Sequence, residues 1–189
     1  MNEILSKAHV ALGANLPHAE FSLEMTLSQA IATLSGPDVV IRSVSRFFST
    51  PCFPPGAGPD YVNAAIELAT SLSPTDLLDR LHAVEHEYGR ARLQRWGMRT
   101  LDLDVLSYDD QVLPDLIVYR HWADLPPEQQ IEVTPEQMIL PHPRLQDRAF
   151  VLVPLADIAP KWRHPVSGRT VSDMLHALPA DDIASVTPL

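Results

Sequence analysis

Apolar and polar positions along the chain change period several times, and each change marks an element. Residues 8–13 form an apolar run that ends in a glycine, the mark of a buried strand. Leu23, Leu27, Ala30, Ile31 and Leu34 then recur at helical spacing, and Gly36 is the expected stop of that helix. Residues 39–49 are rich in β-branched and aromatic types and read as a strand. From Tyr61 the alternation of Val62, Ala64, Ile66 and Leu68 with Asn63, Ala65 and Glu67 predicts a second strand to about residue 69.

Between these strands, residues 51–59 hold four prolines and two glycines, so this stretch is a loop, stiff wherever proline fixes φ. Ser73-Pro74 opens a helix as cap and first-turn proline. Leu77, Leu78, Leu81, Val84 and Tyr88 give that helix its stripe, and Gly89 ends it. Residues 100–108 read as a strand, with Asp109-Asp110 turning into a hairpin partner at 111–113. Residues 114–139 are polar, punctuated by proline and weakly periodic, a long excursion with one helical turn expected at Thr134-Pro135-Glu136. Helices follow at 149–158, with Pro154 inside it, and from Thr170, where Asp173 completes a capping pair. Strand–helix–strand–strand–helix–strand is the order of a ferredoxin-like α+β fold, an antiparallel sheet layered with helices. The 189 residues suit one domain.

Charge narrows the function. The formal net charge is −10, which opposes broad nucleic-acid binding, because displacing counterions needs a basic face. Yet Arg90, Arg92, Arg95 and Arg99 fall within ten residues that carry no acid, a candidate anion site or simply a solvated basic turn. The one cysteine, Cys52, excludes an internal disulfide and any zinc site built from two cysteines of one chain, and fits a reducing cytoplasm. No signal peptide and no apolar run of membrane-spanning length is legible. The oligomeric state is left open, with a monomer as the working expectation.

Arg99-Thr-Leu-Asp-Leu-Asp-Val105 carries the sharpest chemistry. On a strand, Asp102 and Asp104 share one face while Leu101, Leu103 and Val105 enter the core. Their Cα atoms then stand about 6.5–7 Å apart, close enough for both carboxylates to serve one or two magnesium ions, which take oxygen ligands. Alone, Asp-x-Asp also describes an edge strand with solvated acids. The neighbouring arginines shift the balance, because guanidinium forks match phosphate oxygens. Phosphoryl transfer needs mainly positioning and charge neutralisation. Trp96 and Gly97 lie inside the basic cluster, as a stacking surface and a turn or as a core anchor and a turn. No G-x-x-x-x-G-K-[ST] occurs, so this is not a P-loop protein.

Val10-Ala-Leu-Gly-Ala-Asn-Leu16, Pro59-Asp-Tyr-Val-Asn-Ala-Ala65, Gly89-Arg-Ala-Arg92, Arg95-Trp-Gly-Met-Arg-Thr-Leu-Asp-Leu-Asp104 and Leu140-Pro-His-Pro-Arg-Leu-Gln-Asp-Arg-Ala-Phe150 together resemble the hydroxymethyl-dihydropterin pyrophosphokinases of folate synthesis. The resemblance implies transfer of pyrophosphate from ATP to 6-hydroxymethyl-7,8-dihydropterin, with AMP released. It implies Asp102 and Asp104 as ligands of two Mg ions, and Arg90 and Arg99 as the arginines that stabilise the transferring phosphates. Glu85, Arg92, Trp96, Arg99, His142 and Arg148 would form the ATP side. Tyr61 and Phe150 would sandwich the pterin and Asn63 would read its polar edge, with Thr50, Pro51, Phe53 and Trp96 lining the same pocket. Ala14, Met98 and Pro143 depart from the family's commoner residues. Without the resemblance, Phe150 reads as a core residue.

Two other readings compete. His82-Ala-Val-Glu85-His86 matches the H-x-x-E-H signature of inverted zinc peptidases. A non-catalytic RNA-binding module of the same fold is the other, opposed by the acidic charge and the lack of an aromatic–basic string.

Overall fold

Side-chain alternation along three strands sorts the core into two layers, one on each face of a single antiparallel sheet. The computed structural model describes residues 5–18, 20–52, 58–89, 100–126, 129 and 133–189. The sheet contains β1 (Ser6–Ala14), β2 (Val39–Val44), β3 (Phe48–Thr50), β4 (Tyr61–Thr70), β5 (Asp102–Tyr108) and β6 (Thr187–Pro188). Its order is β5-β1-β4-β3-β6, and β2 also pairs with β4. Thus β2 covers the later half of β4 and β3 the earlier half, Ile41 against Leu68 and Phe48 against Asn63. Counting β2 and β3 as one interrupted strand and setting aside the two-residue β6, the order is the ferredoxin-like one expected from the sequence.

On one face, Val10 and Leu12 of β1, Ile66 and Leu68 of β4, and Leu103 and Val105 of β5 pack with Leu27, Leu34, Leu77 and Leu81. Those leucines belong to α1 (Leu23–Leu34) and α2 (Pro74–Glu87). Ser22 caps α1 and Ser73 caps α2, each accepting a backbone N–H of the first turn. On the other face, Ala65 and Leu106 pack with Val151, Leu152 and Leu155 of α4 (Ala149–Ile158). α5 (Val171–His176), held by a Thr170–Asp173 capping box, adds Val171 and Met174 to this second layer. α6 (Ala180–Ala184) then leads into β6.

Several sequence expectations are corrected. α1 ends at Ser35 in extended backbone, and Gly36 instead closes a small turn with Val39. The 39–49 strand breaks after Val44, where the Ser45 hydroxyl accepts the Ala65 N–H and the chain shifts from β2 to β3. Residues 111–113 do not return alongside β5. The chain turns at Asp109, in left-handed backbone at φ 44°, and Leu113 pairs with Leu140 instead. The turn at 134–136 is a bend and not helical. A helix forms in this stretch at α3 (Leu116–Ala123), started by Asp115, whose carboxylate accepts the N–H groups of Ile117 and Val118. Weak periodicity hid it, since Leu116 and Ile117 are exposed and only Tyr119 is buried.

Candidate active site

Asp102, Gly13 and Asn63 stand side by side on β5, β1 and β4, because Gly13 is the register partner of both others. Asp104 follows Asp102 on the same face, and Tyr61 precedes Asn63 on it. This face carries α4, which packs over Ala65 and Leu106, beyond Asn63 and Asp104 along their strands. Leu101, Leu103 and Val105 are buried on the opposite side, as the alternation requires, while Asp102 and Asp104 keep partial exposure. Two half-buried carboxylates on one strand face form an oxygen donor set that fits a hard divalent cation.

The Asn63 amide is fixed. Its Nδ2 donates to the Thr50 hydroxyl at 2.6 Å, and both residues are buried. Asn15, 1% exposed, donates from Nδ2 to the Pro59 carbonyl at 3.2 Å. The Cys52 N–H meets the Asp60 carboxylate at 3.4 Å, so the two ends of the proline-rich loop are brought together beside Tyr61. Pro51 follows Thr50 directly at the start of that loop. Asn15 and Gly13 carry no role in the sequence reading. Their signal lies in the Gly-Ala-Asn step at the end of β1, where small residues leave room and an amide ties a loop.

Glu85 faces inward from α2 and is 1% exposed. Its carboxylate accepts the Leu103 N–H at 2.8 Å, so α2 is pinned to β5 midway between the two aspartates. That geometry removes the zinc-peptidase reading, because Glu85 is spent inside the fold and His86 is exposed. Among the described residues no group of three His, Cys, Asp or Glu is placed to hold a metal by itself.

His142 lies on the far side of β5. Its N–H donates to the Leu106 carbonyl at 2.8 Å, and the preceding Leu140–Pro141 peptide bond is cis. Its Nδ1 accepts the Arg144 N–H at 3.1 Å, so the neutral ring carries its proton on Nε2. Desolvation first, then the charges of Arg148 and Arg144, push its pKa down to about 3, while nearby Asp102 pulls the other way. His142 and Asp102 therefore share one electrostatic environment, and the imidazole can offer a neutral N–H donor.

Phe150 is not a core residue. It is 40% exposed on the first turn of α4, with the Arg148 guanidinium 5.5 Å from its ring centroid. Pro154, one turn on, lacks the N–H that would meet the Phe150 carbonyl. Ala149 packs against Phe48, the register partner of Asn63, which brings this end of α4 to the Asn63 side of the sheet. Arg90, Arg92, Trp96, Arg99 and Phe53 lie outside the described residues, as does Arg95.

One sheet face thus joins a paired-carboxylate strand to a buried amide with Tyr61 beside it, a donor set that fits a divalent cation next to a polar-edged group. The family model of 7,8-dihydro-6-hydroxymethylpterin-pyrophosphokinase (HPPK) matches residues 9–160. The 2-amino-4-hydroxy-6-hydroxymethyldihydropteridine pyrophosphokinase of Pseudomonas aeruginosa is 38% identical over 180 residues, covering 95% of this chain and 96% of its own. The enzyme of the same name from Synechocystis is 35% identical over 181 residues, covering 96% of this chain and 80% of its own. The fold is similar to wild-type HPPK-DHPS of Plasmodium falciparum, with a TM-score of 0.63 at 13% identity over 93% of this chain. This chain spans only 45% of that longer one. The chain belongs to the HPPK family. Its activity is pyrophosphoryl transfer from ATP to hydroxymethyldihydropterin, a step of folate biosynthesis, and the RNA-binding alternative is set aside.

Proposed function

We propose that the reaction runs on the face shared by Asp102, Asp104, Asn63 and Tyr61, with a magnesium requirement met by the two aspartates. The observation that carries this is the register of β5, β1 and β4, which sets the carboxylates and the amide on either side of Gly13. Magnesium, when bound there as two ions, supplies neutralisation of triphosphate charge and orientation of the reacting groups.

The acceptor's hydroxymethyl oxygen attacks the β-phosphorus. A bond forms between that oxygen and phosphorus, and the bond from β-phosphorus to the α,β-bridging oxygen breaks. AMP leaves with the bridging oxygen, and the hydroxyl proton is lost to water. Asn63, its amide set by the Thr50 hydroxyl, holds the pterin's polar edge while Tyr61 and Phe150 stack on its faces, with Thr50, Pro51, Phe53 and Trp96 lining the slot. Arg90 and Arg99 take up charge on the transferring phosphates. Arg92, Trp96 and Arg148 bind the nucleotide, and His142 donates to it as a neutral imidazole. Glu85 serves the nucleotide side through its hold on Leu103. The lone cysteine supports a reducing, cytoplasmic location.

AMP release should require ATP, magnesium and 6-hydroxymethyl-7,8-dihydropterin together, followed by chromatography of the nucleotides. ATP consumption indifferent to the pterin, or release of ADP in place of AMP, contradicts the proposal.

A further inference from the structure

Gly13 occupies ordinary strand backbone, since the glycines with positive φ among the described residues are Gly89 and Gly168. No conformational need for glycine exists at this position, so the need is for space. A Cβ built on Gly13 would stand 2.9 Å from the Asn63 Oδ1 and 3.9 Å from the Tyr61 Cδ1, the only atoms of the described residues within 4 Å apart from its chain neighbours. The first distance is shorter than carbon–oxygen contact allows, and the second is ordinary contact.

The clash falls on the end of a side chain and not on backbone, so it can be relieved by rotating the Asn63 amide. Rotation would break the 2.6 Å hydrogen bond from Asn63 Nδ2 to the Thr50 hydroxyl. Among the described residues, that bond fixes which edge of the amide holds the donor and which the acceptor. Asp102 is also a register partner of Gly13, yet none of its atoms lies within 4 Å of the added carbon. Crowding at this position therefore acts toward the acceptor side and spares the carboxylate side.

We propose that Gly13 is a specificity-determining position: its missing side chain, with the Thr50 hydroxyl as stop, sets the orientation in which the Asn63 amide reads a flat heterocycle. Gly13 and Thr50 are positioning residues that act through Asn63. This rests on the reading of Asn63 as the group that meets the pterin edge.

The test measures binding of 6-hydroxymethylpterin and of a non-hydrolysable ATP analogue with magnesium to Gly13→Ala, Asn63→Ala and the double variant, with thermal melting as a check on folding. Gly13→Ala should weaken pterin binding roughly 10–100-fold, the range of one misdirected buried hydrogen bond, with the analogue's Kd within about twofold. The double variant should bind pterin no worse than Asn63→Ala, because no amide remains to displace. Thr50→Val should reproduce the pterin defect and Thr50→Ser should restore it, which keeps the test open if Gly13→Ala melts early. Unchanged pterin affinity in Gly13→Ala, equal losses for pterin and nucleotide, or additive losses in the double variant would overturn the role of Gly13. A wild-type chain that binds the analogue but no pterin would instead overturn the reading of the acceptor site.

Discussion

At the scale of single residues the site depends on where three side chains stand: Asp102 and Asp104 share one face of β5, and the bare Gly13 leaves the space beside the Asn63 amide. The two aspartates were legible because strand alternation alone places them together and buries Leu101, Leu103 and Val105 behind them. Phe150 was not, since an aromatic residue in an apolar helical stretch reads as core, yet here it is half-open beside Arg148. Gly13 was legible as a strand end but not as a gap, because the atom it avoids lies fifty positions away in Asn63.

His142 yields a pH prediction at this scale. Its folded pKa, about 3, lies below the ordinary value of 6.5, so between these limits the unfolded chain binds a proton that the native ring refuses. The contribution is fully present above about pH 6.5 and is lost as pH falls toward 3. His9 and His164 are also lowered, each mainly by burial, and act with the same sign. Proton NMR of the His142 ring should show no titration between pH 8 and 5, and melting temperature should fall over the acid part of that range. A His142 midpoint near 6.5 would contradict the neutral-donor role.

At the scale of elements, caps marked the starts of α2 and α5, and an apolar stripe marked α1. α3 escaped because its outward face carries Leu116 and Ile117, which blurs the helical period. The pairing of Leu113 with Leu140 was hidden for another reason: it joins segments twenty-seven residues apart, beyond any local turn signal. The joint between α2 and β5 was also invisible, since Glu85 stands in a helix pattern where charge usually faces water. Its carboxylate accepts the buried Leu103 N–H, and losing an acceptor for a buried donor costs about 1–3 kcal/mol. Glu85→Ala should destabilise the fold by that amount in denaturant titrations, while Glu85→Gln, which keeps an acceptor oxygen, should lose less. Unchanged stability in Glu85→Ala, with only ATP affinity reduced, would assign Glu85 to direct nucleotide contact instead.

For the molecule as a whole, the order of elements was enough to foresee the sheet, because strands joined through helices on one face have few ways to pair. What order cannot state is register, and register makes the site. Leu12 lies opposite Leu103 and Ala64, and the next pairs bring Asp102 and Asn63 to Gly13. A one-residue slip of β5 would turn its carboxylates into the α1–α2 core, so hydrophobic burial on one face fixes the polar geometry on the other. The direct measurement is calorimetric binding of a non-hydrolysable ATP analogue to the wild type, Asp102→Ala and Asp104→Ala, with and without magnesium. The wild type should bind the analogue far more tightly when magnesium is present, and each variant should lose most of that gain while melting normally. A magnesium effect of equal size in all three proteins would show that the carboxylates of β5 do not hold the cation.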